Sequence, residues 1–162
     1  MVDVQDQTPV GGASPPPETG PTTPVISFRD GPTYEGPVVV LADYRANSNT
    51  AAVRINAGED ARALIPHLGE LRLIEVAFPK YRDGRGYSSA RILREAGYTG
   101  ELRAAGDVLV DQVRFMRRVG FDSLAPAKPL DMAAVDRALK RFDYVYQKAA
   151  DGQPPVWALR HG

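Results

Sequence analysis

The chain contains no cysteine. Disulfides, thiolate metal sites, iron–sulfur ligation, cysteine nucleophiles and dithiol redox chemistry are therefore beyond what its own side chains supply. Histidine is scarce: His67 stands in a short predicted helix and His161 in the final dipeptide, and neither has a partner at metal spacing. Net charge is missing too, with 20 Lys plus Arg against 20 Asp plus Glu. A dedicated nucleic-acid binder carries a positive excess, so nucleic acid is not an expected partner. No window approaches the ~18 consecutive apolar residues of a membrane span. Met1 to Asp6 lack the basic start and apolar run of a secretory signal. The expectation is a cytoplasmic protein that engages no membrane.

Proline is plentiful but uneven. Six of the 14 prolines fall within residues 1–24, including Pro15-Pro16-Pro17. Such a stretch buries too little apolar surface to offset its ordering entropy, which predicts a disordered tail over 1–24. As a polyproline ligand it lacks a flanking basic anchor. The remainder, 25–162, has the length of a single domain.

Alternating strand and helix signals fill that domain. Val38–Leu41 and Ala51–Ile55 are short β-branched strand candidates, and Asp60 caps a predicted helix to Leu68 that Pro66 shortens. Leu71–Phe78 predicts a mostly buried strand, and Tyr87–Ala96 a helix with Ala90, Leu93 and Ala96 inward and Arg91, Arg94 and Glu95 in solvent. Gly97 stops that helix. A strand around Leu102–Ala104 follows, with Asp107 as N-cap of a helix over 108–119 whose Leu109, Val113 and Met116 share one face and which Gly120 ends. Phe121–Ala125 is a further strand candidate. Asp131 caps a last helix, on which Met132, Val135, Leu139, Phe142 and Tyr146 repeat at helical spacing. This alternation predicts an α/β fold of repeated βαβ units around a parallel sheet, either a small open sheet or a half-barrel-like one.

Ligands of such folds bind at the carboxyl ends of the strands. Residues 80–120 carry nine basic and five acidic side chains, whereas residues 1–79 carry five basic and ten acidic. The positive middle contains Lys80, Arg82, Asp83, Gly84, Arg85 and Gly86 after the strand ending at Phe78, with Arg103 and Asp107 around the next strand. Crowded cations beside glycines at a helix start suit a small anion or an acidic partner surface. Arg94 and Arg117 read instead as solvated outer-face residues. Gly84-Arg85-Gly86-Tyr87-Ser88-Ser89 departs from a dinucleotide fingerprint in its third glycine and in its distance from the strand, and no cofactor is evident. Asp83, Asp107 and Asp111 are the acid–base candidates, although Asp107 fits a cap and Asp83 a turn. Ser88 and Ser89 have no base nearby in sequence, and no metal set emerges.

Three ordered motifs carry a family resemblance. They are Phe78-Pro79-Lys80-Tyr81-Arg82-Asp83-Gly84-Arg85-Gly86-Tyr87-Ser88, then Gly100-Glu101-Leu102-Arg103-Ala104 with Gly106-Asp107-Val108-Leu109, then Asp111-Gln112 and Phe115-Met116-Arg117-Arg118 with Gly120-Phe121-Asp122. In these the chain resembles the bacterial domain of unknown function 934, usually encoded beside assimilatory sulfite reductase. The specific part covers residues 71–122. The resemblance implies an auxiliary protein of assimilatory sulfate and sulfite reduction that binds sulfite reductase, another protein of that pathway, or a small anion. An oxidoreductase of sulfite reduction with an unidentified soluble cofactor is the alternative, and a purely structural interaction module a second. Sulfite reduction itself runs on siroheme and an iron–sulfur cluster, and the cluster's thiolate ligands are missing here. Asp83–Leu93 also resembles a segment of barrel phosphodiesterases acting on cyclic dinucleotides. Lys80, Tyr81 and Arg82 stand where those enzymes need metal-binding carboxylates.

Overall fold

The computed structural model describes residues 24–44 and 49–161, except for the side chains of residues 160 and 161. The predicted Pro-rich tail, apart from Pro24, lies outside the described residues. Six strands form one sheet: β1 (Ile26–Ser27), β2 (Val39–Val40), β3 (Ala52–Ile55), β4 (Leu73–Phe78), β5 (Glu101–Gly106) and β6 (Ser123–Pro126). Their order is β1-β6-β5-β4-β3-β2, with β1 antiparallel to β6 and every other pair parallel. From β2 to β6 each strand lies beside its successor, so right-handed crossovers stack their connections on one face. The sheet is open and is wound as half a barrel is wound. That is the α/β class the alternation predicts.

Three helices cross on that face, α1 (Arg85–Glu95), α2 (Val110–Val119) and α3 (Met132–Lys140), together with a 3-10 helix over Ala61–His67. Val53, Ile55, Ile74, Val76, Phe78, Leu102, Ala104 and Leu124 meet Leu64, Ala90, Leu93, Val113, Met116 and Val135 in the core. Side chains alternate along a strand, so the intervening residues line the opposite face. There the register sets Arg54 beside Glu75, Glu75 beside Arg103 and Arg103 beside Ser123.

Several local expectations are corrected. The segment after Asp60 is 3-10 rather than α, because Pro66 lacks an N–H and its ring clashes with the carbonyl four residues back. Asp60 does cap it, accepting the Arg62 N–H at 3.0 Å. Helix α2 begins at Val110, and Asp107 is not its cap; Leu109 and, on α1, Ala96 are exposed rather than inward. Helix α3 ends at Lys140, leaving Phe142 and Tyr146 exposed. The Arg114 guanidinium takes the Leu139 carbonyl at 3.0 Å, satisfying an acceptor that another helical turn would have used. Arg94 is no solvated residue: it reaches the carbonyls of Gly120, Tyr98 and Gly100 and the Asp122 carboxylate, tying α1 to β5 and β6. Arg117 is exposed, its guanidinium 5.9 Å from the Phe28 ring.

Candidate functional site

The carboxyl ends of β3 to β6 bring together the loops 56–58, 79–84, 107–109 and 127–128. Gly106 has a positive φ of 116° and a Cβ there would stand 2.3 Å from the Phe78 carbonyl oxygen, so both its backbone and its surroundings call for glycine. That close approach lets the Asp107 N–H donate to the same oxygen at 2.8 Å and aims the Asp107 side chain at the β4 loop. The Tyr81 N–H donates to Asp107 Oδ2 at 3.0 Å. Gln112 Nε2 donates to the Tyr81 carbonyl at 2.7 Å, and Gln112 Oε1 accepts the Leu109 N–H at 3.3 Å. Tyr81 of the 79–84 loop is thus gripped through both its N–H and its carbonyl, from the β5–α2 connection and the first turn of α2. Gln112 carries no charge and no catalytic signature, and only its place beside Asp111 in the second half of the motif set marks it in the sequence.

Asp83 fills the start of α1. Its Oδ1 accepts the Arg85 N–H at 3.1 Å, and its two oxygens accept the Arg85 guanidinium at 2.9 and 2.7 Å. The Arg85 hydrogen bonds and charge hold the Asp83 carboxyl down at about 2, against an ordinary 3.8. The same partner raises the Arg85 guanidinium further above its already high value. A helix N-terminus attracts anions through its free N–H groups and dipole, and here a carboxylate of the chain already sits on it.

The two glycines of the motif differ in role. Gly84 has an ordinary φ of −72° and open space around it. Gly86 is buried, and a Cβ there would stand 2.5 Å from the tip of the Phe78 ring. It is a packing glycine that lets α1 settle onto an aromatic cluster. Phe78 meets Tyr87 and Phe121 edge-on, at centroid distances of 5.3 and 5.8 Å. Burial pushes the Tyr87 hydroxyl up.

Lys80, Arg82 and Lys128 are exposed along this edge. Arg82 Nε donates to the Tyr81 hydroxyl at 2.7 Å, with the guanidinium 5.2 Å from the centre of that ring. Among the described residues, no ion pair involves any of these three cations.

Arg103 does not join them. It lies opposite Glu75, three register positions before the Phe78–Gly106 pair, and its side chain is on the other face of the sheet. There it is 4 % exposed and paired with Glu101 Oε1 at 2.8 Å, with Glu75 Oε2 3.9 Å away. Glu75 also accepts Arg54 Nε at 2.6 Å, and the Ser123 hydroxyl donates to Glu101. The backbone of Tyr34 clamps this ladder: its N–H donates to Glu101 Oε2 and its carbonyl accepts Arg103 Nη2, each at 2.7 Å. A buried charge row with every side-chain polar atom satisfied organises this face and holds a segment against it. At the opposite, amino edge lies a cleft of about 740 Å³ whose lining includes Arg29, Tyr34, Arg72 and Glu101. Of its cations, Arg29 pairs with Asp122 at 3.4 Å and Arg72 lies 5.7 Å from the Tyr34 ring centre.

Among the described residues, no group of three or more His, Asp or Glu is placed to hold a metal ion, and no helix is long and apolar enough to cross a membrane. The family model for a bacterial protein of unknown function (DUF934) matches residues 52–157, which contain all three motifs. No curated protein and no solved structure matches the chain.

Proposed function

We propose, from the premise that this chain belongs to the DUF934 family of bacterial proteins of unknown function, that it is an auxiliary binding protein of assimilatory sulfate and sulfite reduction. In this reading it docks an acidic protein surface, that of sulfite reductase first, through the carboxyl edge of its sheet. The pathway rests on the genomic company that the family resemblance implies. The mode of action rests on one observation: the loop's anion-binding groups are divided into spent and unspent. Asp83 occupies the start of α1 and neutralises Arg85, and Asp107 takes the Tyr81 N–H. A small anion finds the Tyr81 and Arg85 N–H groups and the Arg85 guanidinium already engaged by carboxylates of the chain. Lys80 and Arg82 remain outward on a loop that Asp107 and Gln112 hold in shape, with Lys128 exposed on the loop after β6, an arrangement suited to a broad acidic surface.

Deletion of the gene tests the pathway, with growth scored on sulfate, sulfite, sulfide and cysteine as sole sulfur sources. Slower growth on sulfate and sulfite alone is expected, and equal growth on all four would remove the assignment. Titration of the purified chain against purified sulfite reductase tests the mode of action, with the Lys80→Glu/Arg82→Glu variant as the negative control.

A further inference from the structure

The segment from Arg141 to Leu159 turns its aromatic rings outward. Phe142, Tyr144, Tyr146 and Trp157 are exposed by 59, 65, 79 and 53 %. The backbone that carries them is nevertheless anchored. Val145 is buried between the two tyrosines, and its carbonyl accepts the Val156 N–H at 2.7 Å. The Trp157 indole donates to the Tyr146 carbonyl at 3.1 Å. Arg118 on α2 grips the segment from below, through Asp151 at 3.0 Å and the Gln147 carbonyl at 2.6 Å. Cations lie over the rings: Arg114 and Arg141 are each 5.5 Å from the centre of Phe142, and Lys148 is 5.7 Å from that of Trp157. Exposed aromatic surface fixed in place and edged with positive charge is the form of an interaction site. Exposed rings on an anchored backbone accept proline in its extended, preformed helix, and the cations over Phe142 and Trp157, which outnumber the neighbouring Asp143, favour an acidic ligand.

The chain itself contains a segment of that chemistry. Residues 1–24 hold six prolines with Asp3, Asp6 and Glu18, and no Lys or Arg precedes Arg29. The basic anchor missing beside Pro15-Pro16-Pro17 is what an acidic proline-binding groove would demand; a basic aromatic surface asks for the opposite. The two regions also converge on the last turn of α2. Phe28 lies against Arg117, and the next residue, Arg118, holds the aromatic segment. From Phe28 back to Pro17 there are 11 residues, which extended reach roughly 36 Å, several times the ~10 Å width of a helix. Tethering raises the local concentration of such a ligand to about the millimolar range, so a weak contact is enough. We propose that the Pro15-Pro16-Pro17 segment of this same chain docks on the surface formed by Tyr144, Tyr146 and Trp157, with its acidic residues toward Lys148 and Arg141.

Trp157 is the only tryptophan, so its fluorescence reports this surface alone. Acrylamide quenching is compared between the full chain, the chain lacking residues 1–23, and a full-length Pro15→Ser/Pro16→Ser/Pro17→Ser variant. Circular dichroism and melting temperature confirm that each is folded. A surface covered for half the time or more should be quenched at least about twofold more strongly once uncovered. That increase is expected in both variants at unchanged melting temperature, with a synthetic peptide of residues 9–21 reversing it in the truncated chain. Equal quenching in all three folded proteins would overturn the proposal. Protection that disappears on dilution, in a full chain eluting as a dimer, would overturn it in favour of a second copy as the occupant.

Discussion

The carboxylate of Asp107 accepts the backbone N–H of Tyr81 at 3.0 Å, joining two loops that lie 26 residues apart. Gln112 completes the grip on the carbonyl of the same residue. The residue that sequence reasoning placed at a helix start therefore shapes the neighbouring loop instead. Asp107→Ala leaves a partly buried N–H without its charged acceptor, a loss of about 1.5–3 kcal/mol. Asp107→Asn keeps an acceptor oxygen and should retain at least half of that stability. Urea unfolding of the two variants measures the difference.

Hydrophobic periodicity with glycine punctuation made β4 to β6 and the bodies of α1 and α2 legible, and Gly97 and Gly120 do take the left-handed φ values of 91° and 113° that end a helix. The charges inside the strands were not legible. Glu75 stands in an otherwise apolar run, and Arg103 resembled a strand-end cation. Their juxtaposition exists only through the parallel register of β4 and β5, which neither segment states by itself. The helical spacing of Phe142 and Tyr146 runs past the end of α3, because the side chain that meets that end, Arg114, comes from another helix. At the site, cation density was visible. That Asp83 spends Arg85, and that Arg103 belongs to the other face, is visible only in three dimensions.

The two motif glycines should respond differently to alanine. At Gly86 the new methyl would collide with Phe78, a ring held between Tyr87 and Phe121. Overpacking of this kind costs about 1–3 kcal/mol. At Gly84 the space is open and φ ordinary, so Gly84→Ala should be neutral or stabilise by up to ~1 kcal/mol. Thermal melting of both variants tests the contrast, and equal effects would show that the ring moves aside.

The carboxyl of Asp83 should titrate near 2. Because its value in the folded chain lies below the ordinary 3.8, its contribution to stability is present above that ordinary value. It is lost as pH falls toward 2. Carboxyl carbon shifts followed by NMR from pH 6 to 1.5 report the titration. Arg85→Ala should return it toward the ordinary value, since Arg85 is the first cause of the shift.

Arg103→Met should be among the most damaging single changes. Glu101 and Glu75 are 7 and 3 % exposed and would keep their charges beside each other without the cation between them. Removing one partner of a buried pair costs about 3–5 kcal/mol. Adding Glu101→Gln should recover part of the loss, because one uncompensated charge disappears while an amide oxygen still accepts the Tyr34 N–H or the Ser123 hydroxyl. A double-mutant cycle by chemical denaturation gives the coupling, and strict additivity would show that the pair is already solvated.

Charge reversal at the carboxyl edge separates docking from folding. Lys80 and Arg82 are exposed and outside every ion pair among the described residues, so Lys80→Glu/Arg82→Glu should move stability by no more than about 0.5 kcal/mol. Binding to an acidic partner should respond far more, because like charges set against one another across an interface cost several kcal/mol and slow the encounter. The wild-type chain should also lose affinity between 50 and 300 mM salt, as screening shortens the reach of exposed charges to under ~10 Å. Arg85→Ala supplies the internal comparison: its guanidinium is already committed to Asp83, so it should weaken binding less than Arg82→Ala does. Calorimetric titration against sulfite reductase at two salt concentrations reads all of these. Undiminished affinity of the folded double variant would place the docking surface elsewhere on the molecule.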